Sequence, residues 1–251
     1  MNFFGVRIDN VGLPEALNKA RTFLISGQHK IFTPNPEILV KAQKDNYFRD
    51  VLNTGDLNLC DGFGLKIFSD ATRIPGVDFM IELCRLASEQ GSSVYFLGSG
   101  SNEVAEKTAE ELLKQFPMLK IVGFDKGLMM DESNIQNFEL RIDQINNQTV
   151  IGRINQSHPD ILFVAFGMGK QEKWIHENLT KMPGVKIAMG VGGAFDYISG
   201  IVNRAPCWMR KIGIEWLYRL ISQPKRIGRI FNATTKFTFF ALKEKFYDHK
   251  N

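Results

Sequence analysis

Residue types that build closed metal or disulfide frameworks are scarce in this chain of 251 residues, which holds three cysteines and four histidines. Cys60, Cys84 and Cys207 lie far apart with no C-x-x-C among them, which excludes a disulfide lattice or zinc cluster and suits a reducing compartment. His29, His158, His176 and His249 form no H-x-x-x-H pair, the commonest ligand spacing for zinc. No D-x-D occurs, so the acidic device that commonly holds a divalent cation against a diphosphate is missing. Apolar runs are short: the longest, such as Ile161 to Phe166, look like strands and fall well below the roughly 18 residues of a membrane-spanning helix. Met1 to Asn10 lacks the basic start, apolar stretch and small-residue cleavage site of a secretory leader. There is no internal repeat, low-complexity tract or flexible linker.

What is present suits a globular α/β protein. An apolar share of 44% and a charged share of 23% allow a sizeable core. Apolar runs bounded by turn residues alternate with helical-period segments, the pattern of strand and crossover-helix units around a mainly parallel, Rossmann-like sheet. Strands are expected at Ile31 to Thr33, Leu57 to Cys60, Val94 to Leu97, Ile121 to Phe124, Ile161 to Phe166 and Ile187 to Val191. Helices are expected at Pro14 to Ser26, Val77 to Gln90, from Ser101 or Asn102 to Gln115, and at Lys170 to Leu179. After Pro206 strand signals cease and bases interleave with aromatic residues. The expected organisation is an α/β catalytic domain over 1–203 and a helical appendage over 204–251, with Pro224 separating a helix from about Trp208 to Ser222 from a last one. The formal charge of +4 is uneven: from Ile201 onward eleven bases face three acids, so the body is acidic and the tail basic.

Polar and glycine-rich residues recur where strands should end, the edge at which open parallel sheets bind ligands. Thr33 and Asn35 would face a pocket there, although Asn35 also suits capping of the next helix. Asp61, before Gly62, is either a carboxylate able to take a proton from an attacking hydroxyl or an Asp-Gly turn residue. Gly98, opening a strand-to-helix turn, is either a phosphate contact or simply the means of a tight turn. Gly167 and Lys170 repeat the arrangement, and a cation at a helix start is unfavourable unless an anion joins it. Gly192, Gly193 and Asp196 close the series, with Asp196 read as a second carboxylate or a helix cap. Arg219, Arg226 and Arg229 flank Pro224 and carry the fork that matches phosphate oxygens; a solvated or lipid-facing basic surface is the alternative.

Taken together, Thr33 to Glu37, Asp61-Gly62, Arg73 to Asp78, Lys170 to Glu172, Gly190 to Asp196, Arg204 to Pro206 and Gly213 to Leu220 resemble the WecG/TagA/CpsF family of bacterial glycosyltransferases. These segments span nearly the whole chain, and the last is the most specific. One departure is Gly167-Met168-Gly169-Lys170-Gln171-Glu172, where the family pattern reads Gly-Ser-Pro-Lys-Gln-Glu. The resemblance implies an inverting transfer from a UDP-sugar, N-acetylmannosamine or a related hexose, to a sugar on undecaprenyl diphosphate, serving teichoic acid or other cell-surface polysaccharide synthesis. It puts the base on Asp61, matches Thr33, Arg73 and Gln171 to pocket positions, and matches Arg219, Arg226 and Arg229 to an appendage that closes over the diphosphate.

That reading requires no metal and no other cofactor. The expected partners are the donor, the lipid-linked acceptor and an anionic membrane surface, on the inner face of the cell membrane; a homo-oligomer is left open, and nucleic acid is not expected. Anionic lipid attracts each nearby cation by about 1 kcal/mol, which gives the basic, aromatic tail a role. A rival reading is a non-catalytic module that binds nucleotide or a lipid surface.

Overall fold

The computed structural model describes residues 1–128, 144–224 and 227–248, with the side chains of Arg219 and of 245–248 outside the description. Among the described residues eight strands are formed: β1 (Asn2–Phe3), β2 (Val6–Arg7), β3 (His29–Phe32), β4 (Leu57–Asn58), β5 (Ser93–Gly98), β6 (Lys120–Asp125), β7 (Ile161–Ala165) and β8 (Ile187–Gly190). The helices are α1 (Leu13–Phe23), α2 (Pro36–Ala42), α3 (Asn46–Asn53), α4 (Phe63–Phe68), α5 (Gly76–Gln90), α6 (Asn102–Gln115), α7 (Gln144–Ser157), α8 (Lys170–Asn178), α9 (Ala194–Ile198), α10 (Cys207–Ile212), α11 (Glu215–Ser222), α12 (Ile227–Phe231) and α13 (Phe237–Asp248).

The six strands expected from sequence form one sheet, in the order β4-β3-β8-β7-β5-β6, and every pairing in it is parallel. Such a sheet needs cover on both faces, which is why β7 and β8 are unbroken apolar runs, buried at every position. Alternate residues feed two separate cores. Ile161, Phe163, Ile187 and Met189 meet α1, α5, α6 and α9. Leu162, Val164 and Ala188 point the other way, toward α2, α3, α7 and α8. On that second side Lys173 and Asp45, both buried, pair at 2.6 Å, and Asp45 also caps α3 by accepting from Phe48 N at 2.9 Å.

Local signals set most boundaries. Pro14 stands in the first turn of α1. Gly91 ends α5 in the left-handed conformation (φ 70°), and Asn35 caps α2 by accepting from Ile38 N at 3.0 Å. Two departures follow from tertiary packing. The single helix expected over Trp208 to Ser222 is broken at Gly213, which ends α10 in the left-handed conformation (φ 81°) and where a Cβ would stand 2.3 Å from the Phe63 ring. Phe4 and Gly5, both at positive φ, turn β1 into β2, a hairpin absent from the sequence expectation.

The last stretch, α12 and α13 joined by a π-helical turn at Asn232–Lys236, is anchored to the body. Phe237 is buried against Phe3, Phe4 and Phe68, with ring centroids 6.5, 5.6 and 5.8 Å away, and Ala241 is buried beside it. Phe4 N donates to the Glu244 carboxylate at 3.2 Å, so the two ends of the chain hold each other. Among the described residues no helix is long and apolar enough to cross a membrane.

Candidate active site

The carboxyl ends of the parallel strands open into a cleft of about 890 Å³, roofed by residues of 213–223 and 229–238. Thr33 and Asn35 follow β3 into it, Asp61 follows β4, and Ser99 and Gly100 follow β5. Lys126 follows β6, Gly167 and Lys170 follow β7, and Gly192, Gly193 and Asp196 follow β8. Arg73, Gln171, Glu215 and Arg229 also line it, as does Glu37. Eleven of the positions singled out from sequence therefore face one space, although they come from distant parts of the chain.

Asp61 is half-buried on the wall, not turned into the apolar interior. Its N–H donates to the Pro34 carbonyl at 2.9 Å, and the carbonyl of Cys60 accepts from Ile74 N at 2.9 Å, which ties the strand end to both flanking segments. Gly62 adopts φ 117° where a Cβ would stand 2.6 Å from Pro36 Cδ, so only glycine lets the chain leave Asp61 in this direction. Burial, aided by the charge of Asp61 and opposed by Arg73, pushes the Cys60 thiol up to about 12. A neutral, buried thiol is no nucleophile. Thr33 is buried with its side chain over Gly76, where a Cβ would lie 3.1 Å from Oγ1.

Two expected contacts are placed differently. Gly98 does not line the cleft: it takes φ 116°, and a Cβ there would stand 2.7 Å from the Ala165 carbonyl, so glycine permits both the turn and the close approach of β5 to β7. Ser99 and Gly100 carry the turn to the cleft instead. Gln171 reaches the wall but is only 3% exposed, and both ends of its amide have protein partners. Its Oε1 accepts from Gly192 N at 2.9 Å, and its Nε2 donates to Glu172 Oε1 at 2.8 Å. Gln171 thus shapes the turn after β8, and Gly190 must be glycine because a Cβ would sit 2.8 Å from that amide nitrogen. Burial raises the pKa of Glu172, opposed by hydrogen bonds from Gln171 and Gly169.

The arginines divide. Arg73 donates from Nη1 to the Arg210 carbonyl at 3.1 Å and from Nη2 to Glu215 Oε2 at 3.5 Å. Arg229 holds Glu37 with both arms of its fork. The side chain of Arg219 and the whole of Arg226 lie outside the described residues. Sequence reasoning gave no role to Glu37 or Glu215, although both stand inside runs that it singled out; a carboxylate at a helix start reads simply as dipole compensation. Among the described residues no three His, Cys, Asp or Glu side chains gather as metal ligands.

These features define an α/β protein with a cleft at the carboxyl edge of a parallel sheet, lined by strand-to-helix turns of the kind that suits phosphate and by half-buried carboxylates, Asp61 among them. The sequence matches the Glycosyl transferase WecG/TagA/CpsF family over residues 1–251, and the chain belongs to that family. It is 33% identical over 221 residues to an N-acetylglucosaminyldiphosphoundecaprenol N-acetyl-beta-D-mannosaminyltransferase of Bacillus subtilis (strain 168), covering 86% of this chain and 79% of the relative. A protein of the same name from Staphylococcus aureus (strain MRSA252) is 31% identical over 241 residues, covering 92% of this chain and 87% of the relative.

Proposed function

We propose that this enzyme moves N-acetylmannosamine, or a related hexose, from a UDP-sugar to a sugar carried on undecaprenyl diphosphate, with inversion at the anomeric carbon and without a metal ion. The observation that carries the reading is the position of Asp61: one half-buried carboxylate at a strand end, facing a cleft whose walls also present Arg73, Lys170 and Arg229. The names of the relatives support the acceptor and the sugar.

In this mechanism Asp61 accepts the proton of the acceptor hydroxyl as its oxygen attacks the anomeric carbon from the face opposite the nucleotide. The bond from that carbon to the UDP oxygen breaks, and the electron pair leaves with the diphosphate. The wall cations offset charge where it develops on the departing phosphate, in place of a divalent ion. Thr33 orients substrate, while the turns at Gly167 and at Gly192-Gly193 offer main-chain N–H groups to the nucleotide. Asp196, whose carboxylate lies over Gly193, sets the shape of the second turn.

The lipid acceptor must be met at a membrane, and the roof of the cleft suits that encounter. Trp208, Ile212, Trp216, Ile221, Ile227, Phe231 and Phe239, on the roof or in the helices that flank it, are exposed, as is Lys211, while Lys236 is half-buried. Aromatic and aliphatic side chains interleaved with bases favour an anionic interface.

The test is incubation with a panel of UDP-sugars and a short-chain lipid-diphosphate acceptor in EDTA, reading product mass. A disaccharide product is expected. UDP binding without any product would favour a binding module, and activity restored only by magnesium or manganese would end the metal-free mechanism. Cosedimentation should show preference for phosphatidylglycerol over phosphatidylcholine vesicles, whereas tighter capture by duplex DNA would reassign the basic surface.

A further inference from the structure

Three sequence runs that the sheet itself does not require, Arg73 to Asp78, Arg204 to Pro206 and Gly213 to Leu220, meet in one ionic chain. Asp78, in the first turn of α5, pairs with Arg204 and lies 3.9 Å from Arg210. Arg210 donates from Nε to the Ala205 carbonyl at 3.1 Å and offers its own carbonyl to Arg73 Nη1 at 3.1 Å. Glu215, at the start of α11, faces Arg73 Nη2 at 3.5 Å, and the two side chains are only 17% (Arg73) and 14% (Glu215) exposed. The Nε of Arg73 is buried and finds no hydrogen-bond partner among the described residues.

We propose that Glu215 is a positioning residue: with the Arg210 carbonyl it fixes the Arg73 guanidinium on the cleft wall, so that this cation is presented only when α10 and α11 are seated on the body. The inference rests on the reading of the cleft as the site of transfer. An arginine side chain has many rotamers, and its fork recognises a phosphate only when its plane is set. Here the plane is set by two acceptors that belong to the C-terminal segment, not to the domain that carries Arg73. The same segment is fastened at Asp78, on the far side of Gly76, so movement of α10 would break both holds together. Seating of the roof and presentation of the cation are therefore one event, and a cleft whose roof is displaced lacks an oriented Arg73.

A double-mutant cycle with the full chain tests this. In the wild-type background Glu215→Ala should lower kcat/KM by about 10- to 100-fold, with Glu215→Gln intermediate because it keeps an acceptor but loses the charge. In the Arg73→Lys background the same substitution should cost no more than about 2-fold, since there is no fork left to position. Equal losses in both backgrounds overturn the proposal. An independent readout is the Nε–H signal of Arg73 in protein carrying 15N-arginine, assigned by its disappearance in Arg73→Lys. Burial should make it visible in the wild type, and Glu215→Ala should abolish it by exchange with water while the other arginine signals stay; its persistence also overturns the proposal. If the wild type transfers no sugar, the functional reading fails by itself, and the exchange measurement still decides whether Glu215 holds Arg73.

Discussion

Arg229 grips Glu37 with two hydrogen bonds, Nε to Oε1 at 2.7 Å and Nη2 to Oε2 at 3.2 Å, which joins α12 to the first turn of α2 at the edge of the cleft. Glu37 is largely buried while Arg229 is half-exposed, so the pair sits where a diphosphate could take the place of the carboxylate. The expected outcome is that Arg229→Lys, which keeps the charge but loses the fork, lowers kcat/KM by at least about 10-fold. Glu37→Gln should alter stability by only about 1 kcal/mol or less, because its partner Arg229 is half-exposed and water screens the pair. Steady-state kinetics and urea titrations check the two halves, and unchanged kinetics in Arg229→Lys would remove Arg229 from diphosphate binding.

Replacement of Asp61 by Asn keeps the size of the side chain but exchanges one acceptor oxygen for an NH2 donor and cannot take a proton. Sugar transfer should fall by about 10²- to 10⁴-fold, with circular dichroism and UDP affinity close to wild type. Retained turnover would eliminate Asp61 as the base. Coincident loss of UDP affinity and helical signal would show that the turn, not the proton acceptor, had been damaged.

Phe237 stands in an aromatic cluster fed by both ends of the chain. Phe237→Ala should cost about 3 to 5 kcal/mol by urea unfolding, because the ring leaves a cavity among Phe3, Phe4 and Phe68. Removal of everything after Gln223 would also strip this cluster of its cover. The truncated protein should therefore unfold at lower urea than the full chain. Equal midpoints would mean that α13 is not part of the stabilising core.

At the opposite edge of the sheet, Asp160 accepts from Ser93 N at 2.8 Å and Ser93 Oγ at 3.0 Å and pairs with Lys186 at 2.9 Å. Burial alone would raise its pKa, but the bonds from Ser93 and Lys186 prevail and hold it below the ordinary carboxylate value. A depressed folded-state pKa contributes stability above the unfolded value, near 3.9, and that stability is lost as pH falls through the folded value. Asp160→Asn should therefore be less stable than wild type by about 1 to 2 kcal/mol at pH 7. The difference should shrink below pH 4. A difference that is the same at pH 7 and pH 3 would show that charge is not involved.

How far the chemistry was legible depended on whether a residue's role is local. Asn35 caps α2 and Gly91 ends α5 through bonds within a few residues, so both could be read directly. Asp61 could be placed at a strand end, but its facing a common cleft with Arg73 and Arg229 depends on contacts across more than a hundred residues. Gln171 shows the limit. The same amide that could reach a sugar instead bonds Gly192 N and Glu172, because β8 packs beside α8 and leaves no room between Gly190 and the amide. Gly213 could pass for a helix interior until Phe63 appeared beneath it.

By itself, the amino-acid sequence determined the six strands, the strand-end placement of its polar and glycine residues, and the division between an acidic body and a basic tail. These follow from hydrophobic period, turn chemistry and charge counts, which act over short spans of chain. Only the tertiary structure decided the order β4-β3-β8-β7-β5-β6, the burial of Phe237 with the N-terminal hairpin, and the handing of Arg73 to Glu215 and of Arg229 to Glu37. Each of those pairs side chains far apart in the chain, and many partners satisfy an arginine or a phenylalanine equally well until packing leaves one within reach.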